Sequence, residues 1–245
     1  MLISLINPTN FNKLSEKIIQ FIGLFSLALF IVGIYWGLVI APIDYQQGEM
    51  VKIMYIHVPS AWMALLIYSF ITLMSIITII FRNPITVIAA KSAAPIGLIF
   101  TLSVLLTGAI WGRPMWGVWW VWDARLTSVM FLFFIYIGYI LLLRSQNTSM
   151  KSEKIAAIYA IIGFINIPII KFSVDWWNTL HQPASILKID GPSIHSSMLY
   201  PLIIMFFAFS ILFLYLLLLS MRIELIKNRK SKKHYNQRIK HRRMY

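Results

Sequence analysis

Between Trp111 and Ser128 the chain reads WGRPMWGVWWVWDARLTS, and its chemistry-bearing residues are densest there. Trp111, Trp116, Trp119, Trp120 and Trp122 supply indoles, and Asp123 adds a carboxylate. Indole faces bury the apolar surface of a large planar ligand. Arg113 and Arg125 bracket the cluster, and a guanidinium fork pairs well with carboxylates. His57, in MYIHVPSAW, and His181, in WWNTLHQ, add two imidazoles, which can take axial positions on porphyrin iron. Together these residue types suit a flat aromatic shelf that receives an iron macrocycle.

Each has a plainer use. Tryptophan is enriched where helices leave a membrane, with its ring in the headgroups and its N–H wet. Four indoles within Trp116–Trp122 exceed what such a belt needs, because neighbours this close cannot all point at lipid. Arg125 has a rival role as partner of Asp123, or as a marker of the membrane edge. Asp123 suits fixing the loop, or capping the next helix through Thr127 and neighbouring amides, better than acid catalysis. No second carboxylate with acid–base spacing accompanies it, so no catalytic residue is assigned.

These residues need elements to hold them, and composition says which kind. The 245 residues are 59% hydrophobic and 12% charged, with a mean hydropathy of +0.76. A soluble domain carries about a quarter charged residues. The reading is an all-α polytopic membrane protein. Cysteine is absent, which excludes disulfides, thiolate metal sites and covalent haem attachment through this chain's own thiols.

Six apolar stretches are long enough to cross about 30 Å of hydrocarbon at about 1.5 Å per residue. They are Ile18–Ala41, Ser60–Phe81, Ser92–Trp111, Leu126–Leu143, Ile155–Val174 and Met198–Met221. Residues 1–17 form a polar lead, 18–221 the membrane domain with an outward tryptophan-rich loop at 112–125, and 222–245 a basic tail. Pro59 suits a first helical turn and pushes Val58 toward extended backbone, so His57 is expected just outside the second span. Pro168 is expected to kink the fifth.

An even number of spans returns both termini to one side. That side holds 17 of the 22 basic residues; the opposite side holds five, Lys52, Arg113, Arg125 and Lys188 in the loops at 42–59, 112–125 and 175–197 and Lys171 near the outer end of the fifth span. By the positive-inside rule the termini face the cytoplasm or matrix, and the indoles, His57, His181 and His195 face outward. The tail, with ten basic residues, reads as a disordered, solvated anchor; the same charge also suits acidic lipid or nucleic acid.

WGVWWVWDARLTS at 116–128 resembles the tryptophan-rich "WWD" signature of haem-handling proteins, specifically the family of cytochrome c maturation protein C, the haem exporter protein C. MYIHVPSAW at 54–62, IPIIKFSVDWWNTLHQPASI at 167–186 and GPSIH at 191–195 agree with it in order, over about residues 50–220. The resemblance implies six spans with the tryptophan loop on the outer face. It implies non-covalently bound haem b in transit, held by His57 and His181 and lying over Trp116, Trp119, Trp120 and Trp122, with Asp123, Arg113 and Arg125 beside it. It further implies transfer to a separate haem chaperone, and work beside other membrane subunits of an ATP-binding-cassette-type maturation complex. The membrane would be a bacterial or mitochondrial inner membrane, with no nucleic-acid partner. Haem handling does not by itself imply an enzyme.

Two rival readings follow from the same residues. A permease would carry haem or another substrate through the spans, but a hydrophilic pathway needs polar groups at mid-depth, and the spans offer little beyond Asn166 and hydroxyls. A scaffold would use its indoles as interface anchors for a partner protein without haem.

Overall fold

A computed structural model of the chain describes residues 8–145, 150–182, 185–186 and 191–242. Residues 1–7 of the expected lead, residues 146–149 of the connector after the fourth span, and Lys188 lie outside the described residues. The described residues are mostly helical, with six segments long and apolar enough to cross a membrane. Seven α-helices build them: α1 (Pro8–Tyr35), α2 (Met54–Phe81), α3 (Pro84–Trp116), α4 (Ala124–Ser145), α5 (Met150–Gly163), α6 (Asn166–Trp176) and α7 (Ser196–Arg242). The fifth span is made of α5 and α6 together.

Antiparallel α2 and α3 form the centre. They are joined by a turn in which Arg82 is left-handed (φ 50°) and the Asn83 side chain accepts the Ile85 N–H at 2.9 Å, with Pro84 at the first helical position. That cap starts α3 at Pro84, eight residues before the expected start, so Lys91 lies within a helix and pairs with Glu224 of α7. α7 packs on α2 and α3, α1 on α7, α4 on the far flank of α3, and α5 and α6 cover α4 and α2. A stripe of small buried residues on α3 (Ala89, Ala90, Ala93, Ala94) lets the neighbouring backbones come close. Met63, Ile67, Ile71, Leu132, Leu202 and Met205 fill the middle.

Three element ends depart from the sequence reading, each for a local reason. First, α2 begins at Met54, fed directly by a 3-10 turn at Glu49–Ile53, so His57 is helical and not in a loop. Pro59 removes one backbone donor only a turn and a half into the helix, and that interruption does not unwind it. Second, the break in the fifth span falls at residues 164–165, not at Pro168 itself. A proline ring collides with the carbonyl four residues earlier, here Phe164, which accepts the Ile167 N–H at 2.9 Å instead. Third, α7 continues as helix to Arg242, about 70 Å of axis, so most of the basic tail's backbone is helical and not irregular.

Candidate functional site

α3 sets the site by overrunning its expected end. It continues through Gly112 and Pro114 to Trp116, where Gly117, with φ 77°, takes the left-handed cap that favours glycine. The Arg113 guanidinium donates to the Gly117 carbonyl and closes this end. The irregular segment is therefore short, from Gly117 to Asp123.

The last two turns of α3 carry Trp111 and Trp116, about 7.5 Å apart along the axis. Each meets one histidine edge-on. His57 lies 5.6 Å from Trp111 at 78°, and His181 lies 5.1 Å from Trp116 at 66°, measured between ring centroids. Both imidazoles thus gather at one end of one helix, and His57 is within electrostatic reach of His181 and Arg125.

Hydrogen bonding assigns the tautomer of each ring. Thr107 donates its hydroxyl proton to the Ser103 carbonyl at 2.6 Å, so its oxygen is left to accept from His57 Nδ1 at 2.9 Å. Asp123 accepts from His181 Nδ1 at 3.1 Å, since an ionised carboxylate only accepts. This bonding favours the Nδ1–H tautomer at both rings. Neither Nε2 has a side-chain hydrogen-bond partner among the described residues, and the Val104 carbonyl also lies within hydrogen-bonding reach of the His57 ring. Burial pushes the His181 imidazole below the usual histidine range, against an opposing pull from Asp123, and that favours the neutral, metal-binding form.

Asp123 is buried at 8% exposure and does two jobs. Its Oδ2 holds His181, and its Oδ1 caps α4 by accepting the Leu126 N–H at 2.7 Å. The cap runs through the amide of Leu126; the Thr127 N–H goes to the Asp123 main-chain carbonyl at 3.0 Å. Arg125 does not pair with Asp123. Its Nε donates to Ser173 Oγ on α6 at 3.1 Å, half-buried, and ties α4 to the segment leading to His181.

The indoles do not make one flat plane. Trp120 and Trp122 meet edge-on, 5.6 Å apart at 80°, and Trp116 turns toward His181. Trp119 and Trp122 stand open, 59% and 73% exposed. Trp120 is half-buried, and its Nε1 is a buried donor with no acceptor among the described residues. An unmet buried donor on this tryptophan-rich segment fits a ligand that brings its own acceptor.

Sequence reasoning missed four supports: Thr107, Gly108, Gln47 and Ser173. A Cβ on Gly108 would come within 3.1 Å of His57 Cε1, so glycine makes the slot for that ring. Gln47 Oε1 accepts the Trp111 indole N–H at 3.0 Å, held there by a turn in which Asp44 accepts the Gln46 and Gln47 amides, each at 2.8 Å. Thr107 sits one helical turn before Trp111, on the same face, and that spacing was the available signal. His195 stands apart at the start of α7, where its Nδ1 lies 2.8 Å from Ser197 Oγ and 3.3 Å from the Ser197 amide.

Comparison with known proteins gives a consistent set. The family profile described as "Heme exporter protein C" matches residues 1–236. The chain is 47% identical over 228 residues to heme exporter protein C of Bradyrhizobium diazoefficiens, covering 93% of this chain and 86% of that one. It is 49% identical over 209 residues to a ccmC-like mitochondrial protein of cytochrome c biosynthesis from Marchantia polymorpha, covering 85% and 89%. To heme exporter protein C of Escherichia coli K12 it is 39% identical over 215 residues, covering 88% and 86%.

Proposed function

Since the chain belongs to the heme exporter protein C family, and so serves haem delivery for cytochrome c maturation, we propose that it grips haem between His57 and His181 and presents it to a separate haem chaperone. The observation that carries this is a pair of imidazoles at one end of α3, each engaged through Nδ1 by a neighbouring acceptor, which favours an Nε2 lone pair directed elsewhere. Haem is cargo here, b-type and non-covalent. Trp119 and Trp122 offer open faces to the macrocycle, and the Trp120 Nε1–H is available to an acceptor on it. Arg113 and Arg125 bracket the site as partners for its propionates, each with guanidinium protons beyond the one already engaged.

An integral membrane protein of a maturation complex needs membrane partners, and the family implies them. The finer reading names them as the other membrane subunits of an ATP-binding-cassette-type assembly. It sets the indoles toward the periplasm or intermembrane space of a bacterial or mitochondrial inner membrane. The permease reading is disfavoured because Met63, Ile67, Ile71, Leu202 and Met205 fill the bundle centre.

Chaperone loading tests the proposal. Replacing Trp119 and Trp120 together by Ala is expected to weaken haem retention and to lower the yield of haem-linked chaperone, while membrane insertion persists. Undiminished loading by that variant would remove the indoles from the mechanism. A chaperone complex that forms equally well without haem would favour the scaffold reading.

A further inference from the structure

The two imidazoles are held by unlike acceptors. His57 Nδ1 faces a neutral hydroxyl, Thr107 Oγ1, at 2.9 Å. His181 Nδ1 faces an anionic, buried carboxylate, Asp123 Oδ2, at 3.1 Å. A carboxylate behind a ligating histidine fixes its tautomer and raises the basicity of the far nitrogen, and a hydroxyl does this more weakly. The supports are also unequal in build. Asp123 is anchored at its other oxygen by the Leu126 amide and lies at the root of α4. Thr107 is held by the Ser103 carbonyl of its own helix, and His57 is otherwise steadied by the Gly108 slot and the Trp111 edge.

Resting on the ligation proposed above, we infer that Asp123 and Thr107 are positioning residues for the haem iron. Asp123 makes His181 the stronger, retained axial donor, and Thr107 leaves His57 the weaker one, exchanged first when haem departs. The ordering follows from chemistry. Electron donation through the carboxylate–imidazole bond stabilises ferric iron and strengthens the iron–His181 bond. The iron–His57 bond lacks that support, so an incoming ligand displaces it at lower cost. The handover then has a direction: the face of the haem on the His57 side opens, and the His181 side holds on.

The haem-loaded, detergent-purified protein tests this through properties that a purely structural role leaves alone. Asp123→Asn keeps a good helix cap while removing the charge. It is expected to raise the haem midpoint potential, and to weaken haem retention by about 10- to 100-fold, as for other carboxylate supports of ligating histidines. Asp175→Asn removes a carboxylate that acts on Arg125 but bonds to neither imidazole, and controls for charge alone. Thr107→Val is expected to speed displacement of one axial ligand by added imidazole, with Thr107→Ser restoring the wild-type rate. The ferrous iron–histidine stretch completes the set: in His57→Ala, where His181 alone ligates, it should lie higher than in His181→Ala, and Asp123→Asn should lower it. If both histidines ligate but Asp123→Asn shifts the potential no more than Asp175→Asn, or the two stretches coincide, the inequality is wrong while the ligation stands. If the haem spectrum ignores both histidines, the ligation itself falls, and this inference with it.

Discussion

At the scale of single residues, the site depends on where protons sit. A histidine presents one lone pair only when its other nitrogen donates elsewhere, and here Thr107 and Asp123 accept those protons. Gly108 sets the position of the first ring. An added methyl would sit 3.1 Å from His57 Cε1, the carbon between the two ring nitrogens, and the ring must shift by a few tenths of an ångström. Gly108→Ala is therefore expected to lower haem occupancy with little loss of folded protein, read as the haem-to-protein ratio after purification; unchanged occupancy would show that the slot is slack. Much of this scale was legible in the sequence. His57, His181 and Asp123 stood out by type and neighbourhood. The supports did not, because a threonine and a glycine inside an apolar run look like ordinary small residues of a packed span. Only the folded spacing reveals that Thr107 faces a ring fifty positions earlier in the chain.

At the scale of elements, helix ends and one break place the parts. α3 runs on to Trp116 despite Gly112 and Pro114, and so brings both tryptophans that touch histidines onto one rigid axis. The break between α5 and α6, four residues before Pro168, lets the Asn166 amide donate to the Ser128 carbonyl on α4 at 2.8 Å. It also sets the course of α6, which carries Ser173 and leads on to His181. Pro168→Ala restores the missing donor to Phe164 and is expected to straighten this span, cutting haem occupancy while insertion persists. Asn166→Ala removes one interhelical bond, so it should cost only about 0.6 kcal/mol, a typical value inside membranes, seen as a small loss of thermal stability in detergent. A larger loss of haem from Asn166→Ala than from Pro168→Ala would overturn that order. The spans themselves were readable from hydropathy, since length and apolar composition decide them. Their ends were not, because capping by Asn83 and Gly117, and the tolerance of Pro59 near a helix start, are settled by local geometry below the resolution of a hydropathy window.

At the scale of the whole molecule, the two ends of the bundle differ in kind. One end carries the imidazoles and indoles. The other is cross-linked by charge, Lys91 with Glu224 and Arg222 with Glu16. Such part-exposed pairs contribute about 1 kcal/mol or less, so Glu224→Gln is expected to leave the haem spectrum untouched. The proposed orientation has a clean probe, because the chain contains no cysteine. Single cysteines at exposed Tyr45, beside the indole end, and at Asn228, on the far end of α7, should label in opposite order with an impermeant maleimide on intact cells. Tyr45→Cys should react from outside and Asn228→Cys only after permeabilisation. The reverse order would place the site on the cytoplasmic or matrix face.

The central claim is that His57 and His181 together hold one iron. The absorption spectrum of the purified protein beside its His57→Ala and His181→Ala variants tests it most directly. Low-spin, six-coordinate haem is expected in the wild type, a five-coordinate or weakened spectrum in each single variant, and no haem in the double variant. A Soret band and haem-to-protein ratio unchanged in the double variant would contradict the account.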